Sequence, residues 1–119
     1  MSYYHSETEI DTLVRAFEAC GIDKMEFKHA QHLTVATWYV QMLGKDAALD
    51  RMRAGLRTFL DHHGVAQGKY SETVTVFWIQ QIAEKLNELG GEVSLVEQCN
   101  RVMETYLPQP ASSQTSISS

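Results

Sequence analysis

Apolar residues recur every three or four positions along nearly the whole chain, and glycines or other turn residues interrupt them at roughly one helix length. This spacing predicts five helices. The first, over residues 7–20, carries Ile10, Leu13, Val14 and Phe17 on one face, with Ser6 as its N-cap, acidic Glu7 and Glu9 in its first turn, and Gly21 past its end. The second, over 28–43, steps through Leu33, Ala36, Val40 and Leu43 before Gly44, and Trp38 and Tyr39 widen its apolar surface. The third, over 46–63, points Leu49, Met52, Leu56, Phe59 and Leu60 inward and turns Arg51, Arg53 and Arg57 to water. Gly55 lies inside it, where glycine costs up to ~1 kcal/mol relative to alanine, and a close helix crossing accounts for it.

The fourth helix, over 71–89, uses Val76, Ile79, Ile82, Ala83 and Leu86 and ends at Gly90 and Gly91. Its segment from Val74 to Ile79 has the β-branched and aromatic composition of a strand. The helical period nevertheless continues to Leu89, and period outweighs propensity. The fifth, over 92–106, carries Leu95, Val96, Cys99, Val102, Met103 and Tyr106. Short connections between these segments favour antiparallel neighbours. The expected fold is therefore all-α: one compact bundle of about five helices over residues 1–107. Residues 108–119, rich in serine and poor in apolar side chains, form a disordered tail, because they bury too little apolar surface to offset their ordering entropy.

Composition narrows the function classes. A chain of 119 residues supports one hydrophobic core. Its formal net charge of -5 and scattered basic residues exclude a phosphate-binding surface, so no nucleic-acid partner is expected. No apolar run reaches the ~20 residues of a membrane span and no signal peptide opens the chain, which makes no membrane and a cytoplasmic location the expectations. Cys20 and Cys99 fall on apolar stripes without CxxC spacing and read as buried thiols.

Candidate chemistry lies where the apolar stripes become polar. The stripe of the second helix, extended backwards from Leu33 and Ala36, passes through His29 and His32, three residues apart on one face. The stripe of the fourth extends back to Glu72, and that of the third runs forward to His63. In an up-down-up-down bundle these three helix ends share one end of the molecule. Two or three imidazoles and a carboxylate there are a ligand set for a divalent transition metal, zinc, iron, manganese or nickel, with positions left for water or substrate. The metal ligands expected are His29, His32, Glu72 and His63, with Glu72 also the candidate catalytic base.

Two other readings use the same residues. In one, a metal-free pocket binds a small-molecule ligand, with Glu72 as base or acceptor and the histidines as donors. In the other, the domain is a non-catalytic scaffold that forms a homo-oligomer or meets another chain through an aromatic surface of Trp38, Tyr39, Phe77 and Trp78. Purely structural roles also fit: a carboxylate suits a helix N-terminus, and a histidine such as His62 or His63 suits a C-terminus. Neither an ExxH pair nor a phosphate-binding loop is present, so no reaction is specified and whether the chain is an enzyme stays open.

The segment Phe27, His29, His32, Leu33, with Ala36 and Trp38 following, and the later segment Tyr70, Ser71, Glu72, Thr73, Val74, Thr75, with Trp78, resemble a group of small, mostly uncharacterised bacterial helical proteins. Those carry F-x-H-x-x-H-[LV] and Y-H-E-T-[IV]-T segments. The resemblance spans roughly residues 27–82. It implies that His29, His32 and Glu72 are the positions that matter, and it implies no activity. Ser71 stands where the pattern often has histidine, and serine is not an ordinary zinc ligand, so His63 or water would have to complete a metal site.

Overall fold

The computed structural model describes residues 4–106 apart from 24, 67 and 69; the expected tail over 108–119 lies outside the described residues. Among the described residues five α-helices form: α1 (Glu7–Glu18), α2 (His29–Leu43), α3 (Lys45–His62), α4 (Glu72–Leu89) and α5 (Leu95–Tyr106). Among the described residues there is no strand. The apolar period of Val74–Ile79 thus prevails over its β-branched composition, because it continues into a helix that buries Thr75, Ile79, Ile82 and Leu86 along one continuous face.

The caps explain where the helices start. Ser6 accepts a bond from the Glu9 N–H at its side chain while Glu9 reaches back to the Ser6 N–H, a reciprocal capping box. Ser71 caps α4 through the Val74 N–H, and Ser94 Oγ accepts from the Glu97 N–H at 3.1 Å. That last bond makes α5 begin at Leu95, three residues later than its apolar period suggested, since the Ser94 hydroxyl satisfies a first-turn donor. At the end of α1, Cys20 rather than Gly21 takes the left-handed conformation, with φ 57°. Cys20 is therefore half-buried in a turn and not on the α1 stripe, in contrast to Cys99, which is fully buried in α5. Burial pushes the Cys99 thiol up to about 12, so it stays protonated and inert at neutral pH.

The centre of the bundle is α2, which packs against each of the other four helices. Its sequence is apolar nearly all round, as a surrounded helix requires, and Leu33, Val35, Ala36 and Tyr39 are all buried. The two buried threonines on it are satisfied locally: Thr34 Oγ1 donates to the Ala30 carbonyl at 2.9 Å and Thr37 Oγ1 to that of Leu33 at 2.7 Å. Helix α3 crosses α1 where Gly55 meets Phe17. A Cβ at Gly55 would lie 2.6 Å from Phe17 Cε2, so the glycine is required by the close approach anticipated from its position. Phe17 in turn stacks on Phe27 at 4.9 Å between ring centroids, and Phe27 meets Phe59 at 5.0 Å. No described helix is long and apolar enough to cross a membrane.

Candidate functional site

The N-terminal turns of α2 and α4 lie at one end of the bundle, with the middle of α3 facing both. Between them is a cavity of about 90 Å³ lined by His29, His32, Leu33 and Ala36 of α2, Met52 and Leu56 of α3, and Val74, Thr75, Trp78 and Ile79 of α4. The wall is mostly hydrocarbon and aromatic. It opens to solvent past His29 and past Val74, which is 52% exposed. Among the described residues no Asp, Glu, Lys or Arg lines it.

Both imidazoles are held by rings. His29 stands edge-on to Trp78, with centroids 5.0 Å apart, and His32 packs on Phe27 at 4.6 Å. Neither imidazole has a hydrogen-bond partner among the described residues. Burial, reinforced by the neighbouring His29, pushes His32 down to about 4, so its ring is neutral at physiological pH and carries one donor and one acceptor nitrogen. Thr75 is already committed, its Oγ1 donating to the Ser71 carbonyl at 2.9 Å. The two histidines are therefore the polar handles of the cavity.

The other two sequence candidates are placed differently. Glu72 is on the first turn of α4 but does not line the cavity; its carboxylate turns to α3, where Arg53 Nε donates to both oxygens at 2.9 and 3.0 Å and Nη2 adds a third bond. The Tyr70 hydroxyl donates to Glu72 Oε1 at 2.7 Å, and the guanidinium of Arg57 lies 4.9 Å over the Tyr70 ring. These bonds, Arg53 first and Tyr70 second, hold the Glu72 carboxyl down at about 2. Arg53, expected to face water, is thus the partner of Glu72. His63 follows α3 and packs on Phe59 with centroids 4.4 Å apart, its Nε2 buried with no hydrogen-bond partner among the described residues. So the structure brings His29 and His32 to one cavity and leaves Glu72 and His63 out of its lining. Among the described residues no group of three or more His, Cys, Asp or Glu side chains is arranged to hold a metal ion.

The sequence reading did not single out Met52, Leu56, Ala36 or Thr75 as cavity residues. Three are unremarkable apolar positions, and only the packing of three helices reveals that they do not quite close over one another. Trp78, one of the aromatic residues expected on a docking surface, is half-buried and packs against the core, where it meets His29, Phe77 at 5.0 Å and Tyr106 at 5.2 Å. Of the four rings expected on a docking surface, Tyr39 is buried, Trp38 and Trp78 are half-buried and Phe77 is 49% exposed. The exposed apolar surface there is reduced to Phe77 and Val74, one turn apart.

No protein family, curated protein or solved structure matches this chain. The cavity must be interpreted from its own residues.

Proposed function

We propose that the protein binds a small, predominantly apolar organic molecule in the cavity between α2, α3 and α4, without a metal ion. The observation that carries this reading is the lining: of its ten described residues, eight are apolar, aromatic or a threonine with its hydroxyl donated elsewhere, and the other two are imidazoles without a hydrogen-bond partner among the described residues. Concave, largely apolar walls with a few convergent polar groups are the general form of small-molecule sites. The same arrangement argues against Glu72 as a base for the occupant. A carboxyl held at about 2 accepts protons poorly at neutral pH, and its oxygens are already engaged.

The experiment is to titrate the chain, dialysed against a chelator, with toluene while following backbone and side-chain amide resonances. Shifts concentrated at His29, His32, Thr75 and Trp78 are the expected result. Shifts scattered over the bundle, or none without added metal, would overturn the reading.

A second reading is favoured by the same two imidazoles: a divalent transition metal bound by His29 and His32, with water or a Glu72 released from Arg53 completing the shell. Elemental analysis of untagged protein tests it. Less than a tenth of an equivalent of zinc, iron, manganese or nickel, with no thermal shift on adding any of them, removes it.

A further inference from the structure

The cavity's chemistry also selects among small apolar molecules, an inference that rests on the reading above. Its volume of about 90 Å³ is below the roughly 150 Å³ of an apolar cavity that holds benzene. It is open at His29 and Val74, and flexible Met52 forms part of the wall. One ring enters such a space only with its edge at the open mouth and Met52 displaced; two fused rings exceed it.

Charge is excluded next. A carboxylate or ammonium group entering this lining would lose its water and meet no oppositely charged Asp, Glu, Lys or Arg among the described residues, since Arg53 and Glu72 satisfy one another outside the wall. A wholly apolar ring is also imperfect. It would cover the His32 imidazole without offering its nitrogens a partner, and a buried polar group left unpaired is costly. A hydroxyl lessens that defect, because it pairs with one nitrogen of a neutral imidazole, donating its O–H to the acceptor nitrogen or accepting from the N–H. Trp78, already edge-on to His29, favours an aromatic over a saturated ring through its quadrupole.

We infer that the preferred occupant is an uncharged single-ring phenol, its ring among Leu33, Ala36, Leu56 and Trp78 and its hydroxyl hydrogen-bonded to the imidazole of His32. His29, nearer solvent, borders the mouth. The inference concerns binding and needs no bond to be made or broken.

The test compares phenol, toluene and benzoate on the full chain at pH 7, with Kd read from the Trp78 indole N–H resonance. Phenol is expected to bind at least about fivefold more tightly than toluene, the equivalent of one net hydrogen bond, and benzoate at least about tenfold more weakly than phenol. His32→Phe should abolish the preference, so that phenol and toluene bind the variant with equal affinity. Equal affinity for phenol and toluene, or tightest binding of benzoate, overturns the phenol assignment and leaves the cavity reading standing. Failure of all three to perturb the lining residues sinks both. If His32→Phe does not fold, the ranking in the unaltered chain decides alone.

Discussion

Arg53 of α3 grips Glu72 of α4 through Nε, which donates to Oε1 at 2.9 Å and to Oε2 at 3.0 Å. The pair spans nineteen positions of sequence and fixes the side chain that, read from the sequence, was to serve as base or ligand. A planar guanidinium on a planar carboxylate stabilises the anion and orients it away from the cavity.

Removing that partner should release the carboxyl. In Arg53→Ala the Glu72 titration midpoint is expected to rise from about 2 towards the ordinary 4.5, by at least about one unit for the loss of its principal hydrogen-bond donor. Tyr70→Phe should raise it less, because the phenol is the second cause and the guanidinium remains. Carboxyl-carbon NMR titrations of the two variants read this directly. An unchanged midpoint in Arg53→Ala would show that the ion pair does not govern Glu72.

A different pH dependence follows from His32. Its folded value, about 4, lies below the unfolded 6.5, so the unfolded chain takes up a proton first as pH falls. Stability is therefore complete above pH 6.5 and is lost progressively between 6.5 and about 4. The full loss is roughly 3 kcal/mol for a shift of this size, at about 1.4 kcal/mol per pH unit. Urea melts at pH 7.0, 6.0 and 5.0 should show it, over a range where Glu72 is ionised in the folded state and mostly ionised in the unfolded one. His32→Gln should flatten the profile in that window. A wild-type profile as flat as that of the variant would contradict a buried neutral imidazole.

Gly55 gives a prediction of opposite sign to helix propensity. Alanine at an exposed helix interior stabilises by up to about 1 kcal/mol relative to glycine. Here the new methyl would stand 2.6 Å and 2.9 Å from Phe17 Cε2 and Cζ. Phe17 is 1% exposed and stacked on Phe27, so it has little room to give way. Overpacking of this kind costs about 1–3 kcal/mol. Gly55→Ala should therefore destabilise the fold by about 1–2 kcal/mol in a denaturant melt, whereas a gain in stability would mean that the α1–α3 crossing is looser than it stands.

These particulars show what was legible in the sequence. Helix number, the Ser6 cap and the close crossing at Gly55 are local consequences of period and turn chemistry, and they could be read residue by residue. The shared placement of His29 and His32 was legible for the same reason, since three residues along a helix fixes a common face. The Arg53–Glu72 pair was not, because apolar spacing assigns Arg53 a non-core position without saying which element borders it. Neither was the cavity, which arises from the joint shape of Ala36, Met52, Leu56 and Trp78 and leaves no pattern in any one helix. Period also misplaced the inward residue near the start of α4: Thr75 is buried while Val76 is only partly so, because a threonine that returns its hydroxyl to the Ser71 carbonyl can enter the core.

His63 supplies the last prediction. Its backbone N–H closes α3 on the Phe59 carbonyl at 3.1 Å, and its ring lies against Phe59, but its buried Nε2 has no partner among the described residues. An unpaired buried polar atom typically costs about 1–3 kcal/mol in lost hydration. Leucine retains the backbone bond and most of the apolar contact while removing the orphaned nitrogen. His63→Leu is therefore expected to leave stability unchanged or to raise it by up to about 1 kcal/mol, once the loss of the ring contact is set against the removal of the unpaired atom. The comparison is best made as parallel urea melts at pH 7.5. A destabilisation of 2 kcal/mol or more, on the order of a lost buried hydrogen-bonded or coordinated group, would show that Nε2 is paired in solution and return His63 to the set of ligand candidates.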